Sequence, residues 1–125
     1  EIGCGSGSFG YAMVSYLSAQ GIPYSYCFSD IVPECIEQAK NKMADLNQTG
    51  GVTYRILDVF TLDKTIDCSG QDIIISTGYA SAATYKDAVP VVSRALKPGG
   101  VLICDFINHF SFTHWVENMG PLFCL

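Results

Sequence analysis

The chain has 125 residues and a formal net charge of −5, with 49% hydrophobic and 15% charged residues, enough apolar material for one packed domain and too much for a disordered tail. Its seven basic residues, from Lys40 to Lys97, form no stripe, so no nucleic acid partner is expected. No apolar run reaches the roughly 18–20 residues of a membrane span and no leader-like segment is present, so the expectation is a soluble, cytoplasmic domain without membrane contact.

The chain opens on Glu1-Ile2-Gly3-Cys4-Gly5-Ser6-Gly7, an acidic residue followed by three alternating glycines. Glycine lets the backbone turn sharply out of a strand and approach a ligand, because no Cβ forbids positive φ. Gly5-Ser6-Gly7-Ser8-Phe9-Gly10 also fits the dinucleotide pattern G-x-G-x-x-G, with Asp30 near the spacing of a ribose-binding acid. Two cofactor classes therefore fit the loop. Glu1 favours one of them: its carboxylate would repel a pyrophosphate but not the ammonium and sulfonium of S-adenosylmethionine (SAM). Because Glu1 stands at what reads as the end of a strand, the chain is expected to be a fragment. Most of a central strand would precede it and further structure would follow residue 125.

Phe9, Ala12, Met13, Tyr16 and Leu17 recur at helical spacing, and Gly21 and Pro23 stop that helix. Tyr24 to Asp30 alternates and is aromatic, which predicts a strand ending on Asp30. Pro33 opens a second helix as its first residue, with Ile36, Ala39, Met43 and Leu46 inward and Gly50-Gly51 at its end. A strand follows over 52–57, then a loop with Asp58, Asp63 and Asp67, then the apolar strand 72–76, suited to burial on both faces.

Tyr85, Ala88, Val89, Val92, Ala95 and Leu96 form a third helical stripe. Pro90 would cost a hydrogen bond beyond the first turn, so the predicted start is near Asp87. Lys97-Pro98-Gly99-Gly100 stops the helix, and 101–106 is a further strand. After Asn108 the pattern weakens, with a short helix possible over 109–119 and a break at Gly120-Pro121. The alternation predicts an α/β fold, a doubly wound, mostly parallel sheet with helices on both faces and ligands beyond the strands' carboxyl ends.

Six cysteines at positions 4, 27, 35, 68, 104 and 124 make no C-x-x-C pair and no zinc-like cluster, and read as reduced, mostly buried thiols; no metal is expected. The polar candidates instead follow successive strands: Glu1 and the glycines, then Asp30, then Asp58, then Ser76, Thr77 and Tyr79. A carboxylate at Asp30 can accept from two ribose hydroxyls, and the same chemistry at Asp58 suits an adenine amine. Each Asp alone would read as a turn or helix cap.

In these residues the chain resembles class I SAM-dependent methyltransferases. Glu1 to Gly7 matches the first motif of that family, Asp30-Ile31-Val32-Pro33 its acidic second-strand motif, Leu57-Asp58-Val59 its adenine motif, and Leu96 to Gly100 its turn before strand five. The resemblance covers roughly residues 1 to 108 and implies a Rossmann-like fold, incomplete at both ends, in a single domain fragment over 1–125. It implies SAM as cofactor and methyl transfer to a small-molecule acceptor. The implied cofactor-binding residues are Glu1, Gly3, Gly5, Gly7, Asp30, Ile31, Asp58, Val59, Ser76 and Thr77. The glycines would hold the methionine moiety, Asp30 the ribose and Asp58 adenine, with Val59 beside the ring and the Ser76 and Thr77 backbone near the amino acid end.

Where many amino-group methyltransferases carry N-P-P-Y, this chain has Ser76-Thr77-Gly78-Tyr79. Its long Gly3 to Asp30 spacing looks like the methyltransferase domains of polyketide and other small-molecule pathways. Two alternatives stand: an NAD(P)-dependent oxidoreductase, against which no tyrosine opens a Y-x-x-x-K pair, and a SAM-binding module without transfer activity. Tyr79, Asp105, His109 and His114 are candidates for the cleft, but positioning and desolvation can drive methyl transfer without a base, and no catalytic residue is assigned.

Overall fold

A computed structural model describes residues 1–46, 50–64, 70–77 and 82–105. Tyr79, His109, His114 and Asp67, Cys68 and Cys124, and the expectations for residues 109–121 lie outside them. Along the chain run α1 (Ser8–Ala19), β1 (Ser25–Asp30), α2 (Pro33–Met43), β2 (Gly51–Ile56), a 3-10 helix (Val59–Lys64), β3 (Gln71–Ser76), α3 (Ala82–Ser93) and β4 (Leu96–Cys104).

Two parallel ladders form, β1 with β2 and β3 with β4. The opening residues lie between them. Glu1 N donates to Cys27 O at 2.8 Å, Ser29 N to Glu1 O at 3.0 Å and Cys4 N to Ser29 O at 2.9 Å, while on the other side Ile2 N donates to Ile75 O at 2.8 Å. The order across the molecule is therefore β2, β1, residues 1–4, β3, β4. The Ser29 hydroxyl, buried inside this junction, donates to Glu1 O at 2.7 Å and so is not left unsatisfied.

Strand alternation sends residues to opposite faces. Tyr26 and Phe28 of β1 pack with Val14 of α1 and with Ile36, Ala39 and Met43 of α2. On the other face Ile2, Val59 and Ile74 pack with Ala88, Val92 and Ala95 from α3 and the turn after it. Helices thus lie on both faces, as the alternating pattern predicts. Phe28, Met43 and Val14 are the largest fully buried side chains. Truncating Phe28 to Ala would cost about 3–5 kcal/mol, because the rings of Tyr26 at 4.9 Å and Tyr54 at 5.4 Å both lean on it.

Several local expectations are corrected. The inward face of α1 is centred on Gly10 and Val14, whereas Phe9, Ala12 and Tyr16 are exposed. Gly10 sets this face, because only a residue without Cβ lets the helix rest directly on Phe28. The helix ends as foreseen: Gly21 takes φ 64°, and Ile22 N donates to Leu17 O at 3.0 Å, closing a left-handed C-terminal turn.

In α2, Pro33 sits in the first turn with Glu34, and Lys40 and Lys42 occupy the last, so the charges oppose the helix dipole favourably. That helix stops at Met43, short of Gly50. The loop expected after β2 contains the 3-10 helix. The third helix starts at Ala82 rather than near Asp87, with Pro90 inside it. The missing Pro90 N–H is tolerated because Ala88, Val92 and Ala95 bury the stripe around it. β4 begins early, at Leu96, through an irregular register opposite Gln71 to Ile73 where Gly99 takes φ 81°.

Candidate functional site at the strand carboxyl ends

The glycine loop leaves the sheet between β1 and β3. Gly3, Gly5 and Gly7 adopt φ of 66°, 52° and 74°, a left-handed region costly to residues with a Cβ. The glycines then diverge in role. A Cβ on Gly5 would meet nothing within 4 Å, so this turn faces open space. A Cβ on Gly7 would come 2.8 Å from the Cβ of Ala39, so that side is filled by α2. A Cβ on Gly10 would run into Phe28 and reach 2.5 Å from Glu1 Oε2. Gly5 leaves its side of the loop open, while Gly7 and Gly10 let the helices close on the strand. Under the G-x-G-x-x-G reading, Gly7 is the position whose backbone must approach a pyrophosphate.

Asp30 terminates β1 and is 8% exposed. Gly5 N donates to its Oδ2 at 2.8 Å and Val32 N to its Oδ1 at 2.9 Å. One carboxylate therefore ties the glycine loop to the entry of α2. Each oxygen accepts one bond among the described residues and retains a second lone pair, which is what two ribose hydroxyls need.

Glu1 lies half-buried beneath α1. Tyr26 Oη donates to its Oε2 at 3.1 Å, and among the described residues nothing donates to Oε1. Burial pushes the Glu1 carboxyl above its ordinary value of 4.5; the α-amino group and the Tyr26 hydrogen bond pull it back, and the charge of Asp30 adds to the rise. The same burial, with the negative field of Glu1 and Asp30, pushes the Cys4 thiol up to about 12. Cys27, Cys35 and Cys104 are likewise free thiols, each half-buried.

Asp58 follows β2 at the same edge, since Asp30 pairs with Ile56 and Leu57 N donates to Asp30 O at 2.9 Å. Its Oδ1 accepts from Phe60 N at 2.9 Å, capping the 3-10 helix. The turn-cap and ligand readings of Asp30 and Asp58 are therefore compatible, each cap using one lone pair per oxygen engaged. Ile31 stands beside them, 56% exposed. Val59 does not: at 3% exposure it belongs to the α3 core cluster. Ser76 is buried at the end of β3, where its carbonyl accepts from Asp105 N at 3.4 Å, and Thr77 follows it half-buried. The exposed Phe60, at 48%, sits at this edge without having been singled out in the sequence.

On the outer side of the loop, Lys42 reaches from α2 to Ser8 Oγ at 2.5 Å and Ser6 Oγ at 3.5 Å. A cavity of about 280 Å³, lined by Ser25, Cys27, Thr53, Arg55, Gln71 and Ile74 among others, lies on the α3 side of the sheet. Glu1 borders it, but none of Gly5, Asp30 and Asp58 does. Open space at Gly5, paired acceptors on Asp30, an accepting oxygen on Glu1 and a capped Asp58 fit an adenosine bearing an ammonium group.

Comparison with known proteins identifies the family. A family model described as methyltransferase domain matches residues 1–102. A highly reducing polyketide synthase of Gibberella zeae is 34% identical over 115 residues, covering 82% of this chain and 4% of the relative. The ubiquinone/menaquinone biosynthesis C-methyltransferase UbiE of Rickettsia typhi is 27% identical over 125 residues, covering 90% of this chain and 50% of the relative. This chain thus spans only part of both relatives. Among solved structures, the CMeT domain of the citrinin polyketide synthase superposes with a TM-score of 0.67 at 15% identity, over 97% of this chain and 38% of that one, which shows a shared fold.

Proposed function

This chain belongs to the methyltransferase domain family, as a SAM-dependent domain of class I and Rossmann-like fold, and on that premise we propose that it transfers the methyl group of SAM to carbon in a small-molecule acceptor of polyketide type. The observation that carries the cofactor half of the reading is the Asp30 carboxylate, whose two oxygens stand at the sheet's carboxyl edge with one held by the glycine loop itself. The acceptor half is supported by the polyketide synthase relative and by the C-methyltransferase. The cytoplasm is the proposed location; among the described residues no helix is long and apolar enough to cross a membrane.

In this reading SAM supplies a methyl group on a positively charged sulfur, an electrophile needing no metal. The residues of this chain bind and orient it. Asp30 accepts from the ribose hydroxyls, Asp58 accepts from the adenine amine, and Ile31 lays an apolar surface against the ring. Gly3 and Gly5 allow the methionine moiety close to the backbone, Gly7 holds α2 against the loop, and Glu1 attracts the ammonium. The backbone of Ser76 and Thr77 borders the amino acid end. Val59 acts from behind the edge, by seating the 3-10 helix that carries Phe60. The acceptor carbon, once a solvent base has taken its α-proton, would form the new C–C bond as the C–S bond breaks and its electron pair passes to sulfur, leaving neutral S-adenosylhomocysteine, and positioning by these residues would supply much of the rate.

Incubation with SAM labelled in its methyl group and a β-ketoacyl thioester tests this. The reading predicts label on the carbon between the two carbonyls and one S-adenosylhomocysteine per methyl transferred. SAM binding with no label on any carbon acceptor would overturn the transfer reading and leave a binding module.

A further inference from the structure

We infer that Tyr26 is a positioning residue of the cofactor site, holding the Glu1 carboxylate against the first turn of α1. The inference rests on the SAM reading and adds to it a residue outside the motifs. Tyr26 is 8% exposed on the face of β1 that carries Phe28, and the two rings meet at 4.9 Å. Its hydroxyl is the donor to Glu1 Oε2, at 3.1 Å.

That same oxygen lies where a Cβ on Gly10 would stand, 2.5 Å away. Glu1 Oε2 therefore lies close to both the Tyr26 hydroxyl on the strand and Gly10 on the helix. A carboxylate in so narrow a gap has few rotamers, and the Tyr26 hydroxyl selects one of them. The chosen rotamer leaves Oε1 without a donor among the described residues. Without the hydroxyl, Oε2 would lose its hydrogen bond while staying buried, and Glu1 would take up a proton more readily.

The other ionisable groups around Glu1 are its own α-amino group, Asp30, and the thiols of Cys4 and Cys27; α2 contributes Cys35 near Cys4, and α1 contributes no charged side chain. None of them offers the neutral, fixed donor that Tyr26 provides. Tyr26 is thus the group whose removal shifts Glu1 without changing the net charge.

The test is calorimetric titration with SAM from pH 5 to pH 8, on the unaltered protein, Tyr26→Phe, Glu1→Gln and the double variant. Tyr26→Phe keeps the ring that packs on Phe28. It is expected to bind SAM about five-fold more weakly at neutral pH, the size of one hydrogen bond, and to lose affinity toward acid at a higher pH than the unaltered protein. Glu1→Gln should bind weakly with no acid limb, and adding Tyr26→Phe to it should change little. Unchanged affinity, or weaker binding with the acid limb unmoved, would overturn the inference; additive losses in the double variant would do the same. Failure of the unaltered protein to bind SAM at any pH would overturn the cofactor reading and this inference with it.

Discussion

The Gly5 N–H donates to Asp30 Oδ2 across 2.8 Å, so the residue proposed to hold the ribose also holds the loop proposed to hold the methionine moiety. The two halves of the cofactor site are mechanically joined. Asp30→Ala removes the acceptor for the ribose and for two backbone donors at once. The expected loss in SAM affinity is about 1–3 kcal/mol, with a lowered melting temperature. Asp30→Asn retains acceptor capacity on one side and is expected to fall between, in calorimetry and in thermal melts.

The loop glycines separate packing from binding. Gly7→Ala places a Cβ 2.8 Å from Ala39 at φ 74° and is expected to destabilise the fold by about 1–3 kcal/mol. Gly5→Ala meets no neighbour, so its cost to the fold is limited to the strain of φ 52°, about 1 kcal/mol. Its larger effect is expected on SAM affinity, because the new methyl points into the open crevice. Melting temperature and Kd measured on both variants should change in opposite rank order.

Glu1 is expected to trade stability for binding. Its carboxyl is raised in the folded state, so its favourable contribution is fully present below the ordinary value of 4.5 and is lost as pH rises through the raised value. At neutral pH the buried charge is therefore a cost. Glu1→Gln should raise the melting temperature more at pH 8 than at pH 5 while weakening SAM. An equal shift at both pH values would mean that the carboxylate is not held in a desolvated place.

Cys4 is buried and its thiol is pushed up to about 12, so its thiolate is scarce at neutral pH. Alkylation of the folded protein with iodoacetamide should modify Cys4 last among Cys4, Cys27, Cys35 and Cys104, as read by peptide mass spectrometry. SAM should slow it further, by holding the loop closed over the thiol.

What the sequence disclosed and what it concealed divide along physical lines. The loop, Asp30 and the alternation of strand and helix are local patterns, and all are present. The division of labour among Gly5, Gly7 and Gly10 is set by how closely α1 and α2 approach Phe28 and Ala39, a tertiary distance with no local mark. Tyr26 stands out only as one more aromatic in an alternating strand, since its partner Glu1 lies 25 residues away in sequence. The burial of Val59 beside Ile74 and Val92 is set by the 3-10 helix, which its neighbours in sequence do not reveal. Pro90 misplaced the start of α3, because burial of a stripe outweighed a backbone rule.

The central claim, a SAM site at the carboxyl edge of this sheet, is tested most directly by parallel calorimetric titrations with SAM, S-adenosylhomocysteine and NAD. The account predicts binding of the first two and none of NAD, because the Glu1 carboxylate opposes the charge of a pyrophosphate. Binding of NAD without SAM would contradict it and return the glycine loop to the dinucleotide class.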